Sequence, residues 1–198
     1  MPSNLEIVSI LANEVFTKDN TVLKHGADIL APCSSVWYGQ QVEEVRSYLA
    51  IAWDSLGDHK SFMADEENVD KVRGSLGPIV VKGATRDLIN AHFEVEGAPF
   101  SVLSAPVTEF GIVTPKAGHE AEVKNILTKL AAFLNEAESA AVGGVFAPTV
   151  EKEGSYLLLV GWDSVEEKSA KGLEIEEELL AHAEVSFSHV KLLQHEGA

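Results

Sequence analysis

The chain of 198 residues carries 31 Asp and Glu against 15 Lys and Arg, a formal net charge of −16, and 45% of its residues are hydrophobic. That balance is a globular protein's, and an acidic surplus without a basic run excludes nucleic acid and anionic membrane surfaces as partners. Cys33 is the only cysteine, so an intrachain disulfide and a cysteine-based metal site are excluded as well.

The first residues lack a basic segment followed by an apolar run, and no stretch approaches the roughly 18 apolar residues of a membrane span. A cytoplasmic location without membrane contact is the expectation. Residues 5–16 read as a first strand, and residues 19–30 as a helix with Val22, Leu23, Ala27 and Leu30 at helical spacing, stopped by Pro32. Residues 37–42 and 46–53 form a hairpin around the exposed pair Glu43-Glu44. The run Leu49 to Trp53 is apolar on both faces, which requires cover on both sides of the strand. Asp54 or Ser55 can cap a short helix through residues 59–64, and residues 66–76 form another, with Val69, Val72 and Leu76 inward. Residues 87–95 return to strand, and residues 97–106 have a linker's composition.

The second half repeats this order. Residues 108–114 read as a strand. Residues 119–137 form the clearest helix, with Val123, Ile126, Leu127, Leu130, Ala131 and Leu134 on one stripe. Residues 142–149 and 156–162 make a second hairpin, Asp163 to Glu166 resembles a capping box, residues 173–183 are helical, and residues 185–193 close as a strand. The tripeptide Trp53-Asp54-Ser55 recurs as Trp162-Asp163-Ser164, 109 positions on (162 − 53). At that offset Val36 falls on Val145, Trp37 on Phe146, Tyr38 on Ala147 and Ile51 on Val160.

Each half is therefore β-α-β-β-α-β, and the expected fold is α+β: tandem ferredoxin-like repeats packed as an intrachain α+β barrel. The expected boundaries are residues 1–97, a linker at 98–106, and residues 107–198. Bare sheet faces would bury each other within one chain, with a cavity where small residues line the barrel. Dimerisation through another surface stays open.

The stretch WYGQQVEEVRSYLAIAWDSLGDHKSF, with Ser104-Ala105-Pro106-Val107-Thr108-Glu109 at the junction, resembles antibiotic-biosynthesis-monooxygenase-like proteins of the dimeric α+β barrel superfamily, in their two-repeat fungal branch. The resemblance implies the barrel fold. It also implies a range of activities: cofactor-free oxygenation of aromatic polyketides, polyketide cyclisation, haem degradation, or none. His, Tyr, Trp or Asn around the cavity carry the chemistry where there is any.

Candidate residues follow. His92 and His189, each in the last strand of its half, are read as equivalent acid–base candidates, set against ordinary structural histidines. Glu94, sharing a face with His92, would orient its ring. His59 follows Trp-Asp-Ser, and the second half has no histidine in the matching turn, where Glu167 stands. A single working site in the first half, with His92 and His59 as catalytic groups, is the expectation. Trp37, Tyr38, Tyr48, Trp53 and His189 are the ligand-binding candidates, since aromatic area with polar tips suits a flat ligand. No His-x-x-x-His or His-x-Glu pair with a third partner suggests a metal site. Gly143-Gly144 is a turn or strand start, not a phosphate loop, and no GxSxG elbow occurs.

The expected function is cofactor-free oxygenation or cyclisation of a hydrophobic aromatic, polyketide-type small molecule. The alternatives are a non-catalytic binding or stress-response barrel, and haem handling through His59, His92 or His189.

Overall fold

A computed structural model of the chain describes residues 4–19, 21–30, 35–92, 100–136, 141–165 and 170–195, with His92 and residues 170–172 described by backbone alone. The helix stop at Pro32, Cys33, Glu94, the start of the linker and the end of the capping box at Glu166 and Glu167 lie outside the described residues. The chain divides into two compact units, Met1–His92 with Lys191–Ala198, and Phe93–Val190.

The fold is α+β, two ferredoxin-like β-α-β-β-α-β units in tandem. The first unit comprises β1 Asn4–Leu11, α1 Glu14–Lys18, α2 Val22–Ile29, β2 Ser35–Gln41, β3 Arg46–Trp53, α3 Leu56–Ala64, α4 Glu66–Leu76 and β4 Arg86–His92. Its strands pair antiparallel in the order β4-β1-β3-β2. The second unit comprises β5 Val107–Pro115, α5 Glu120–Leu134, β6 Ala141–Pro148, β7 Tyr156–Trp162, α6 Ala170–His182 and, as far as Val190, β8 Ala183–Gln194, ordered β8-β5-β7-β6. Among the described residues, no helix is long and apolar enough to cross a membrane.

The expected first strand, residues 5–16, is shorter in the structure. β1 stops at Leu11 because Asn13 caps α1: its side-chain oxygen accepts from the Val15 amide at 2.9 Å, and Phe16 is buried from that helix. Of the two capping candidates at α3, Ser55 takes the role, its hydroxyl oxygen accepting from the Asp58 amide at 3.2 Å. Replacing Ser55 by Ala should cost about 1 kcal/mol of stability, measured as a shift in the denaturant midpoint.

The helix-facing side of the first sheet supplies Val8, Ile10, Val36, Tyr38, Leu49, Ile51 and Trp53 to one core cluster, closed by Leu23 and Ala27 of α2, Leu30 at its C-terminal cap and Leu76 of α4. The opposite side carries Leu5, Ile7, Trp37, Ala50 and Ala52, and these are also buried. The doubly apolar run 49–53 is thus covered on both faces, as its composition requires. In the second unit Val107, Val113, Leu158, Val160 and Trp162 pack against Val123, Ile126, Leu127, Leu130 and Leu134 of the expected α5 stripe, without Ala131, and against Leu179 of α6.

The registers correct one expected equivalence. Val36 lies opposite Ile51, but Gly144, not Val145, lies opposite Val160. The connection from Pro148 to Tyr156 is one residue longer than that from Gln40 to Ser47 (156 − 148 = 8 against 47 − 40 = 7), which moves β6 by one position. The counterpart of Trp37 is therefore Val145, and that of Tyr38 is Phe146. Burial agrees, since Tyr38 and Phe146 both pack on the helix-side cores of their units. A one-residue slip exchanges sheet faces, so a gapless alignment pairs residues that point in opposite directions.

Candidate functional site

The two units carry the same departure from an apolar core. Glu6 stands in β1 in line with Val8 and Ile10, so strand alternation aims its side chain at the helix layer. It is 4% exposed. In β5, Glu109 occupies the same place: Glu6 lies opposite Ile51 and Glu109 opposite Val160, the matching residues of β3 and β7. Burying a carboxylate in such a layer is costly unless polar partners surround it.

In the first unit those partners are Trp53 and His59. The Trp53 indole Nε1 donates to Glu6 Oε2 at 2.9 Å. His59, the fourth residue of α3, brings Nε2 to 3.3 Å from the same oxygen. That approach is out of line for a hydrogen bond, and neither ring nitrogen of this buried imidazole has a hydrogen-bond partner among the described residues. Trp53 packs against the His59 ring at a centroid distance of 5.4 Å and against Phe62 at 5.2 Å. Asn90 of β4 lies opposite Glu6 and accepts from Asn4 Nδ2 at 3.1 Å, so a polar cluster crosses three strands inside the core.

Glu6 and Trp53 border a cavity of about 50 Å³ between sheet and helices, otherwise walled largely by aliphatic side chains and Phe62. Its outer rim, Ile10, Val72, Arg73, Leu76 and Arg86, is shared with an open groove of about 580 Å³ running along residues 77–84. Small-molecule sites range over roughly 300–1,000 Å³, so the groove has the capacity of a ligand site, and it shares these lining residues with the cavity.

The second unit solves the same problem differently. His189 Nε2 lies 2.9 Å from Glu109 Oε2, across adjacent strands, and the Trp162 indole nitrogen is buried with no hydrogen-bond partner among the described residues. The cavity beside Glu109 and Trp162 measures about 20 Å³. One repeat supplies its imidazole from a helix, the other from the last strand.

The sequence-predicted residues distribute as follows. His59 and Trp53 come together at Glu6. Trp37 and Tyr48 are buried on the sheet face away from the helices, and Tyr38 lies in the helix-side core without lining the cavity. His189 joins Glu109. His92 ends β4 opposite Asn4, whereas His189 lies opposite Glu109. His189 thus matches Asn90 and not His92, which corrects the expected pairing of the two histidines. The cavities beside Glu6 and Glu109 lie between sheet and helices within each unit and are walled largely by aliphatic side chains. The glutamates escaped the reading from sequence, although a carboxylate interrupting the inward positions of NLEIVSIL and VTEFGIV is their signal.

No family model matches the sequence, and no curated protein matches it. Solved structures do share its fold. A candidate monooxygenase from Fusobacterium nucleatum superposes with a TM-score of 0.69 at 8% identity, over 100% of this chain and 96% of that one. A candidate monooxygenase from Lactobacillus acidophilus gives 0.64 at 10% identity, covering 99% and 95%. An anthrone oxidase-like protein gives 0.66 at 15% identity, covering 96% and 92%. At these identities the likeness is one of fold, and it extends over nearly the full length of each chain.

Proposed function

We propose that the protein is a cofactor-independent oxygenase of hydrophobic aromatic, polyketide-type molecules, a two-repeat member of the fungal type of antibiotic-biosynthesis-monooxygenase-like proteins. The observation that carries this reading is the buried Glu6, held by Trp53 and flanked by His59, lining a largely apolar cavity that shares residues with a ligand-sized groove. The fold shared with two candidate monooxygenases and an anthrone oxidase-like protein supports it.

The chemistry needs little from the protein. A methylene group flanked by aromatic carbonyl systems gives up a proton to a positioned carboxylate. The resulting carbanion transfers an electron to dioxygen, the pair combines into a peroxide anion at that carbon, and the abstracted proton returns to make the hydroperoxide. Loss of water leaves a ketone, so one dioxygen supplies one product oxygen and one water. Glu6 takes the first proton, with His59 Nε2 3.3 Å from the same carboxylate oxygen. Apolar walls keep the carbanion from being reprotonated by solvent.

The test is dioxygen uptake by the purified chain with an anthrone-class substrate, together with its absorption spectrum and ¹⁸O₂ labelling of the product. Substrate-dependent uptake with one labelled oxygen per product is the expected result. A Soret band in the purified protein would move it to haem handling. Cyclised product without label would make it a proton-transfer catalyst, and ligand binding without turnover a carrier.

A further inference from the structure

Outside this site, the second unit gathers three metal-ligating side chains at one point. His119 immediately precedes α5, Glu122 lies in its first turn, and His182 is the last residue of α6. His119 Nδ1 is 3.0 Å from Glu122 Oε2, His182 Nδ1 is 3.0 Å from His119 Nδ1, and His182 Nδ1 is 3.2 Å from Glu122 Oε2. The rings tilt at 45° to one another with centroids 4.9 Å apart. Spacing alone hid this cluster, since two members belong to one helix start and the third stands 63 residues away.

We propose that His119, Glu122 and His182 form a binding site for a divalent transition ion of the zinc type, with a fourth position open to water. Three lone-pair atoms at mutual distances near 3 Å outline one face of a coordination tetrahedron. An ion about 2.0–2.1 Å from each would sit about 1 Å above their plane. A proton placed among them serves one nitrogen–oxygen or nitrogen–nitrogen pair and leaves the third atom poorly served, whereas a divalent ion serves all three. Two imidazoles and one carboxylate suit zinc, nickel or copper, and magnesium or calcium poorly.

The backbone around the site is already fixed. The Lys116 amide donates to the His182 carbonyl at 2.9 Å, and Lys116 Nζ donates to the carbonyls of Leu180 and Ala181 at 3.2 and 2.8 Å. The His119 amide returns to the Lys116 carbonyl at 3.0 Å. Gly118, with φ of +83°, makes the turn that brings His119 over the end of α6. The side chains are 40%, 50% and 26% exposed, so an ion can enter from solvent.

The test titrates the whole metal-stripped chain with Zn²⁺ against a chromophoric chelator, then with Co²⁺. The expected result is one zinc per chain, a visible spectrum of tetrahedral cobalt, and a melting temperature that rises with zinc. His182→Gln and Glu122→Gln, from opposite helices, should each weaken binding on the order of 100-fold or more and abolish the thermal shift. Both side chains reach solvent, so the metal-free variants should melt like the parent, and if one fails to fold the other reads the same site. A parent chain that binds no zinc at micromolar concentration overturns the site. So does zinc bound equally by the parent and both variants.

Discussion

Glu6→Gln should lower turnover of an anthrone-class substrate at least about 100-fold, the span a single general base contributes. The amide keeps an oxygen where the Trp53 indole nitrogen donates, so the 2.9 Å hydrogen bond survives and the change isolates proton transfer. A neutral amide is also easier to bury than a carboxylate, and the variant should melt at or above the parent's temperature. Loss of activity with retained stability separates catalysis from folding. Glu109→Gln is the internal control, because it makes the same change at the equivalent strand position beside a cavity of about 20 Å³ in place of 50 Å³. It should leave turnover within about threefold, below what a general base contributes. Equal losses would mean two working sites, and the reverse order would move the chemistry to the second unit. A Glu6→Gln enzyme with near-parent turnover ends the reading of Glu6 as the base.

His59 sharpens the same test. Its nitrogens lack hydrogen-bond partners in a buried setting, where a polar group is expected to be satisfied. His59→Ala should weaken catalysis without matching the loss at Glu6, because the imidazole acts through the carboxylate. His92, expected from sequence to handle the proton, ends β4 opposite Asn4. His92→Ala in the same assay decides whether it takes part.

Much of the fold was legible because local signals and tertiary demands agree. Residues 66–76 and 156–162 read as a helix and a strand with the bounds the structure has, since helical spacing in one and an unbroken apolar run in the other match what each element buries. The α5 stripe is legible for the same reason. Register was not, because the one-residue shift in β6 comes from a hairpin connection one residue longer than its counterpart in the first unit, which leaves the apolar pattern intact. The site was half legible. Trp53 and His59 stand out by type and by the repeated tripeptide, whereas a glutamate in a strand reads as solvent-facing until its register is known. The His119, Glu122 and His182 cluster needed the packing of two helices before it existed at all.

Gly39→Ala should be among the most damaging single-methyl changes in the chain. Gly39 lies within β2 opposite Tyr48, and on its other side the strand meets the C-terminal segment of the first unit. A Cβ there would collide with the Lys191 carbonyl oxygen, and would come within 2.8 Å of the Lys191 carbonyl carbon and 3.0 Å of the Leu192 Cα. All three are backbone atoms, so no rotamer change relieves the contact. The segment is held in place from its far end as well. The His195 amide donates to the Val36 carbonyl at 2.8 Å, and His195 Nε2 lies 3.3 Å from Asp28 Oδ1 of α2. Accommodation therefore means prising the segment from β2 and losing hydrogen bonds along it. Overpacking of this kind costs about 3 kcal/mol, a fall of roughly 6–12 °C in melting temperature for a chain of this size. Gly74→Ala supplies the opposite sign from the same chemical change. Gly74 is exposed in α4 with nothing within 4 Å of the added methyl, so the substitution should stabilise by about 0.5–1 kcal/mol through helix propensity alone. The two variants should melt on opposite sides of the parent. A Gly39→Ala protein melting within about 2 °C of the parent, under 1 kcal/mol for this chain length, would show that β2 and the C-terminal segment do not pack as closely as described.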